Sequence, residues 1–232
     1  MVTLFSDLFD VFFPQLCIGC RKKLNPSEEI LCIYCESDLP MSNNWNENRS
    51  ELYRKICGKI PLEAAASLYL FDKVSPVRKL IHSLKYKGVK EVGYYIGKKF
   101  GNILTSDDSF IKNIDLIVPL PLHPHKLKVR GYNQCDPFAE ALSKTLNVPY
   151  ATGALSRIVE NVSQTKMDKH NRFTNVKKIF NIEKEEILRS KHILLVDDVV
   201  TTGATAESCL ATILEVPDTR VSFVAMAEVR SK

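Results

Sequence analysis

Two cysteine pairs, Cys17-Ile18-Gly19-Cys20 and Cys32-Ile33-Tyr34-Cys35, are the first residues in the chain whose spacing could do chemistry. A pair of C-x-x-C knuckles can bring four thiolates into a tetrahedron, the geometry zinc prefers, and the Lys-rich loop containing Pro26 has too little apolar content to fold unaided. The spacing predicts one structural Zn2+ on Cys17, Cys20, Cys32 and Cys35. Metal binding of this kind contributes about 10–16 kcal/mol of apparent free energy, so the module is expected to fold only with its ion. Two disulfides suit a reducing compartment poorly, and a redox C-x-x-C would open a helix after a strand. Cys57, Cys135 and Cys209 lack partners at knuckle spacing and read as small core residues.

The second such stretch runs from Ile193 to Thr205. An apolar run, Ile193-Leu194-Leu195-Val196, reads as a buried parallel strand, and Asp197-Asp198 mark where it leaves the sheet. Thr201-Thr202-Gly203-Ala204-Thr205 then turns the chain into a helix whose apolar residues Cys209, Leu210, Ile213 and Leu214 recur at helix spacing. A hydroxyl-rich turn at a helix N-terminus cradles an anion: unpaired N–H groups, the helix dipole and three hydroxyls can surround a phosphate, each charge-assisted bond contributing roughly 1.5–3 kcal/mol. The paired acids would repel that phosphate. They suit sugar hydroxyls and a divalent cation instead, so the stretch as a whole fits a ribose 5-phosphate. Neither a Gly-rich loop ending in Gly-Lys-Ser/Thr nor a G-x-G-x-x-G is present.

Basic residues form two further groups. From Lys73 to Lys90 no acid occurs, and Lys85, Lys87 and Lys90 flank Tyr86; from His123 to Gln134 a loop carries Lys126, Lys128 and Arg130. Either group could be a solvated face, or a surface where lysines neutralise nucleic-acid phosphates and an aromatic ring stacks a base. Residues 157–176 are polar, with Arg172 among them, and read as a mobile segment that closes over a reactive ligand or as a surface insertion.

These residues need a scaffold. Ala64 to Phe71, Asp115 to Pro121, Phe180 to Ile182 and Arg220 to Glu228 read as strands alternating with helices that open at Pro76, Val92 and Asp136. That alternation predicts an α/β fold with a mostly parallel sheet flanked by helices, its ligand crevice at the strands' C-terminal ends. Three regions are expected: an N-terminal helix and four-cysteine finger over residues 1–42, a linker over 43–60 anchored by Trp45, and the α/β domain over 61–232. A hydrophobic content of 45% and a net charge of +5 are those of a soluble globular protein without a membrane span. The apolar face of Leu4, Phe5, Leu8, Phe9, Phe12 and Phe13 includes acids nearby and no basic leader, which makes the cytoplasm the expected compartment.

Taken in order, Lys85-Tyr86-Lys87-Gly88, Val118-Pro119-Leu120-Pro121-Leu122, Arg130-Gly131-Tyr132-Asn133-Gln134, Gln164-Thr165 with Arg172 and Asn175, and the Asp197 to Thr205 signature resemble the ComF family. Those late competence proteins join a zinc finger to a type I phosphoribosyltransferase-like domain. Tyr132 stands where phenylalanine is usual, and the further cysteine pair of some relatives is represented only by Cys57. The resemblance implies that Asp197 and Asp198 hold the ribose of phosphoribosyl pyrophosphate, that Thr201, Thr202, Gly203, Ala204 and Thr205 hold its 5-phosphate, and that Leu120 and Pro121 face pyrophosphate. It further implies Mg2+ with that ligand, leaving-group closure by Arg172, and single-stranded DNA on Lys85, Tyr86, Lys87, Lys90, Lys126, Lys128 and Arg130. DNA uptake in natural transformation, with uptake or recombination proteins as partners, is the implied role. The alternative is an active phosphoribosyltransferase acting on an acceptor that the sequence does not identify.

Overall fold

The computed structural model describes residues 14–45, 50–57, 60–72, 75–106, 113–159 and 178–230. In chain order its strands are β1 (Ala65–Phe71), β2 (Leu116–Pro119), β3 (Leu155–Arg157), β4 (Phe180–Ile182), β5 (His192–Val200) and β6 (Arg220–Val229). The helices are α1 (Ile33–Ser37), α2 (Glu51–Ile56), α3 (Pro76–Tyr86), α4 (Glu91–Thr105), α5 (Pro124–Arg130), α6 (Cys135–Leu146) and α7 (Ala204–Ile213). Four parallel strands form the sheet in the order β1-β6-β5-β2, while β3 and β4 make a separate antiparallel pair. The expected α/β architecture is therefore the one observed.

The strand β5 is buried on both faces through Val196 and opens only at Asp197 and Val199. A strand covered on both sides must be apolar at every position, which is why Ile193 to Val196 reads as a continuous run rather than an alternation. Burying each such side chain contributes about 1.5–3 kcal/mol. Leu194 and Val196 face one core with α3, α4 and α6, and Ile193 and Leu195 face the other with α2 and α7. Both edges of the sheet are covered. Met41 bridges Tyr69 on the β1 side, and Tyr150 bridges Ile117 on the β2 side, so neither edge offers a free ladder.

The helix α3 opens with Pro76 and buries Val77, Leu80, Ile81 and Leu84, as its periodicity predicts. Its C-terminal turn delivers Lys85 to the ends of the strands. Along α4, Gly93, Gly97 and Gly101 face α6: a methyl on Gly97 would lie 2.6 Å from the Ala141 Cβ, and one on Gly101 2.7 Å from that of Thr145. A glycine weakens a helix by itself, and the absent side chain at Gly101 is what lets α6 approach.

Two further expectations change. The basic stretch from His123 is not a loop throughout, because Pro124 starts α5 and Gly131, at φ 78°, ends it. Within the expected linker, Ser50 accepts a hydrogen bond from the Tyr53 amide and caps α2, whose Leu52 and Ile56 are fully buried. The N-terminal apolar face at residues 4–13 and Arg172 with most of its segment lie outside the described residues.

Candidate functional site

The sulphur atoms of Cys17, Cys20, Cys32 and Cys35 lie within 4.8 Å of one another. Cys20 and Cys32 are 3.6 Å apart, and Gly19 is forced by the crowding, since a methyl there would stand 2.7 Å from the Cys35 Sγ. Burial alone would raise the Cys17 thiol, but the N–H groups of Cys32, Cys20 and Gly19 point at its sulphur and bring it down to about 6. The Cys35 thiol goes the other way, pushed up by burial and by the three neighbouring sulphurs. One preformed thiolate within a ring of four soft donors suits a tetrahedral dication. Leu24, Leu31 and Leu39 carry this module onto the core shared with α3 and α4, and Lys99 pairs with Glu36 at 2.7 Å.

At the C-terminal ends of the strands a cleft opens between β5, the turn into α7, and the segments after β2 and α3. Asp197, Asp198 and residues 199–206 form one wall; Lys85, Lys126, Arg130 and Arg157 bring positive charge to the others. Gly203 adopts φ 81° as the N-cap of α7, a left-handed conformation that a side chain would strain, and Thr201 and Thr202 stand exposed beside it. Thr202 Oγ1 accepts from the Ala204 amide at 3.5 Å, and residues 201–205 line the cleft at the N-terminus of α7, the position of an anion cradle.

Asp198 is 4% exposed, and its Oδ1 accepts from the Lys85 Nζ at 2.7 Å. Its Oδ2 is buried with no hydrogen-bond partner. Asp197 turns back to accept from the Asp198 amide at 2.7 Å; burial first, then the neighbouring Asp198 charge, lifts its carboxyl far above the usual range, to about 7. For Lys85 burial works downward, but the two aspartates prevail and keep the ammonium charged. The Cys135 Sγ lies 3.8 Å from Asp197 Oδ1, and its thiol is raised by burial and by both acids. Two carboxyl groups share one lysine here beside a neutral thiol, and one carboxylate oxygen lacks a hydrogen bond. Such a site favours a further cation or a donor hydroxyl.

The expected ligand residues Asp197, Asp198 and Thr201 to Thr205 converge in this cleft with Leu120; Pro121 stands outside its lining, and Leu122 is inside. Of the expected nucleic-acid residues, Lys85, Lys126 and Arg130 line the same cleft. Tyr86, at 67% exposure, stands outside it with the Arg130 guanidinium 5.3 Å from its ring centroid and the His82 ring 5.0 Å away. Lys90 lies 5.0 Å over the Tyr132 ring, while Lys87 and Lys128 are exposed. Sequence reasoning missed Arg157, Gln134 and the approach of Cys135. Gln134 lies in the Arg130 to Gln134 stretch, where it accepts from the Arg130 guanidinium at 2.6 Å, whereas the places of Arg157 and Cys135 depend on contacts between distant segments.

Residues 133–232 match the Phosphoribosyl transferase domain family. Over most of its length the chain is similar to curated competence and DNA utilization proteins. It is 26% identical to Competence protein F of Haemophilus influenzae over 84% of this chain and 88% of the relative. The DNA utilization protein YhgH of Escherichia coli matches at 26% over 83% and 87%, and Competence protein ComFC of Bacillus subtilis at 26% over 87% and 78%. Among solved structures, an adenine phosphoribosyltransferase aligns with 66% of this chain and 74% of its own at 15% identity and a TM-score of 0.39. No helix among the described residues is long and apolar enough to cross a membrane.

Proposed function

We propose that the protein binds phosphoribosyl pyrophosphate in the cleft and single-stranded DNA on the adjoining α3–α5 face, and that it serves in DNA uptake. The observation that carries the first part is the convergence of the Asp197–Asp198 pair and the Thr201 to Thr205 turn with Lys85, Lys126 and Arg130. The turn's amides and hydroxyls take the 5-phosphate, the acids take the ribose hydroxyls, and the cations take pyrophosphate. The two carboxylates fit Mg2+, given the unpartnered Asp198 oxygen; the soft Cys135 sulphur does not contribute to a hard cation's shell. Bound there, Mg2+ would neutralise pyrophosphate charge. Lys85 then exchanges part of its contact with Asp198 for ligand oxygens, and Asp197 gives up its proton as the ligand enters. Titration calorimetry with phosphoribosyl pyrophosphate and Mg2+ tests this, and absence of binding heat at millimolar ligand would sink it.

The exposed Tyr86 ring, with the Arg130 guanidinium 5.3 Å from its centroid and the exposed Lys87 next in the chain, supports base stacking beside neutralised phosphates. The names of the relatives, competence and DNA utilization proteins, favour uptake as the setting. On the four-cysteine cluster we assign one structural Zn2+. Gently purified protein should contain one zinc per chain; Cys32→Ser should release it and Cys57→Ser should not.

A second reading, glycosyl transfer, is favoured by the Asp198 oxygen that lacks a hydrogen bond within the same cleft as the Thr201 to Thr205 turn. In it, an acceptor's lone pair forms a bond to the ribose anomeric carbon as the bond to pyrophosphate breaks, and the acceptor's proton passes to water or a carboxylate. Lys85 and Arg130 stabilise the departing charge. Release of labelled pyrophosphate, with and without DNA or candidate acceptors, separates transfer from binding alone.

A further inference from the structure

A second cluster of buried charge lies below the cleft and takes no part in the ligand reading. Glu228, near the end of β6, is 4% exposed and pairs in register with Val200, the last residue before the Thr201 turn. Its Oε1 accepts from the Asn44 Nδ2 at 2.6 Å and from the Ser67 hydroxyl at 3.1 Å. Its Oε2 faces the Lys55 ammonium at 3.5 Å. Lys55 in turn donates to the Val229 carbonyl at 2.7 Å and pairs with Glu51 at 3.1 Å. The lysine is on α2, and the backbone carbonyl of that same residue comes up against the phosphate turn: a methyl on Gly203 would stand 2.9 Å from the Lys55 oxygen and 3.2 Å from the Ile56 Cγ1.

A buried ion pair is poor evidence for stability, because apolar or neutral replacements of similar shape often leave a protein as stable or more so. Its worth lies in fixing one arrangement among several. Here the arrangement fixed is the height of α2 under Gly203. We infer that Lys55 and Glu228 are positioning residues for the phosphate turn: the pair, anchored by Asn44 and Ser67, holds α2 as the floor on which residues 201–205 keep their anion-binding shape. Asn44 follows directly on the segment that leaves the four-cysteine module, where Ser42 donates to the Ser67 carbonyl, so the clamp also ties that module's exit to the turn. The inference deepens the phosphate-cradle reading and rests on it for its effect on ligand.

The variant that isolates positioning from stability is Lys55→Met with Glu228→Gln, which removes both charges and leaves an acceptor for Asn44 and Ser67. Its thermal midpoint should equal or exceed wild type. Amide hydrogen exchange at the turn, read at Glu207, whose N–H donates to the Gly203 carbonyl at 2.8 Å, should quicken at least tenfold in the free protein, and the dissociation constant for phosphoribosyl pyrophosphate should rise about tenfold. Lys55→Arg, which keeps the charge, should retain wild-type protection of the turn. Wild-type exchange in the turn of the folded double variant overturns the inference. If the double variant does not fold, Glu228→Gln alone carries the same expectation at smaller size, and unaltered exchange there overturns it. Should the wild-type protein fail to bind phosphoribosyl pyrophosphate, the ligand reading falls, while the exchange measurement still decides the positioning role.

Discussion

Two lysine–carboxylate pairs stand near the C-terminal ends of neighbouring strands, and they are built to different ends. Lys85 and Asp198 meet at 2.7 Å on β5 beside an open cleft, with one carboxylate oxygen unpartnered and a second acid, Asp197, crowded against the first. Lys55 and Glu228 meet at 3.5 Å on β6 in a closed cluster where Asn44, Ser67, Glu51 and the Val229 carbonyl supply further bonds. The open pair has spare bonding capacity and charge to rearrange. The closed pair is enclosed: its Glu228 Oε2 also lacks a hydrogen bond and meets only the Lys55 ammonium, but its other contacts are with the protein and it faces no cleft. A charge pair with a free oxygen beside an open cleft marks a place for a ligand, whereas one enclosed among side chains under a helix marks a fixture.

The comparison breaks most readily at the closed pair. Glu228→Ala, which strands the Lys55 ammonium among buried groups, should cost about 3–5 kcal/mol of stability, the cost typical of removing one partner of a buried pair. Denaturant unfolding reads it; a loss under about 1 kcal/mol would mean that Lys55 reaches solvent instead. At the open pair the loss should fall on affinity. Asp197→Asn with Asp198→Asn should weaken phosphoribosyl pyrophosphate binding by on the order of 100-fold, since charge-assisted hydrogen bonds contribute about 1.5–3 kcal/mol each. The fold should survive, as two desolvated like charges leave with it. Unchanged affinity in calorimetry would make the motif a remnant.

A smaller effect separates ligand from DNA at Lys85. Lys85→Met should weaken phosphoribosyl pyrophosphate about tenfold and leave the salt dependence of single-strand binding unaltered. Loss of a phosphate contact would instead flatten the slope of log affinity against log salt by about 0.7. On the exposed face, Lys87→Ala with Lys90→Ala and Lys128→Ala should flatten that slope by roughly two units, and Tyr86→Ala should cost roughly 1–3 kcal/mol with the slope kept.

The smallest effect is a pH dependence. Asp197 titrates near 7 in the folded chain, above its unfolded value, so the stability associated with its protonated form is present below about pH 4 and is lost as pH rises towards 7. Ligand that requires the carboxylate should bind more tightly across the same window and level off above it. Asp197→Asn should flatten both curves; an unaltered profile would assign the titration to another group.

Much of the architecture was legible along the chain because its determinants are local. Ile193 to Val196 is apolar at every position as a doubly covered strand must be, Pro76 opens α3, and the knuckle spacing at Cys17, Cys20, Cys32 and Cys35 brings four sulphurs together across few residues. The short helix α5 is bracketed by Pro124 and Gly131 but was not legible, because Leu127 and Val129 alternate with basic residues and give no helical period. Gly97 and Gly101 were legible only as weak helix formers. Their use lies in a partner helix some forty residues away.

By itself the sequence determined the strand-acid-turn-helix unit and the four-cysteine module, since backbone geometry, apolar period and ligand spacing are set over a dozen or so residues. Tertiary structure alone decided which charges meet. It turned Lys85 inward onto Asp198, brought Arg157 to the cleft and set Lys55 under Gly203. A lysine's type fixes only that it must find an anion or water; which one it finds depends on how a parallel sheet, crossing over between distant strands, stacks its ends in space.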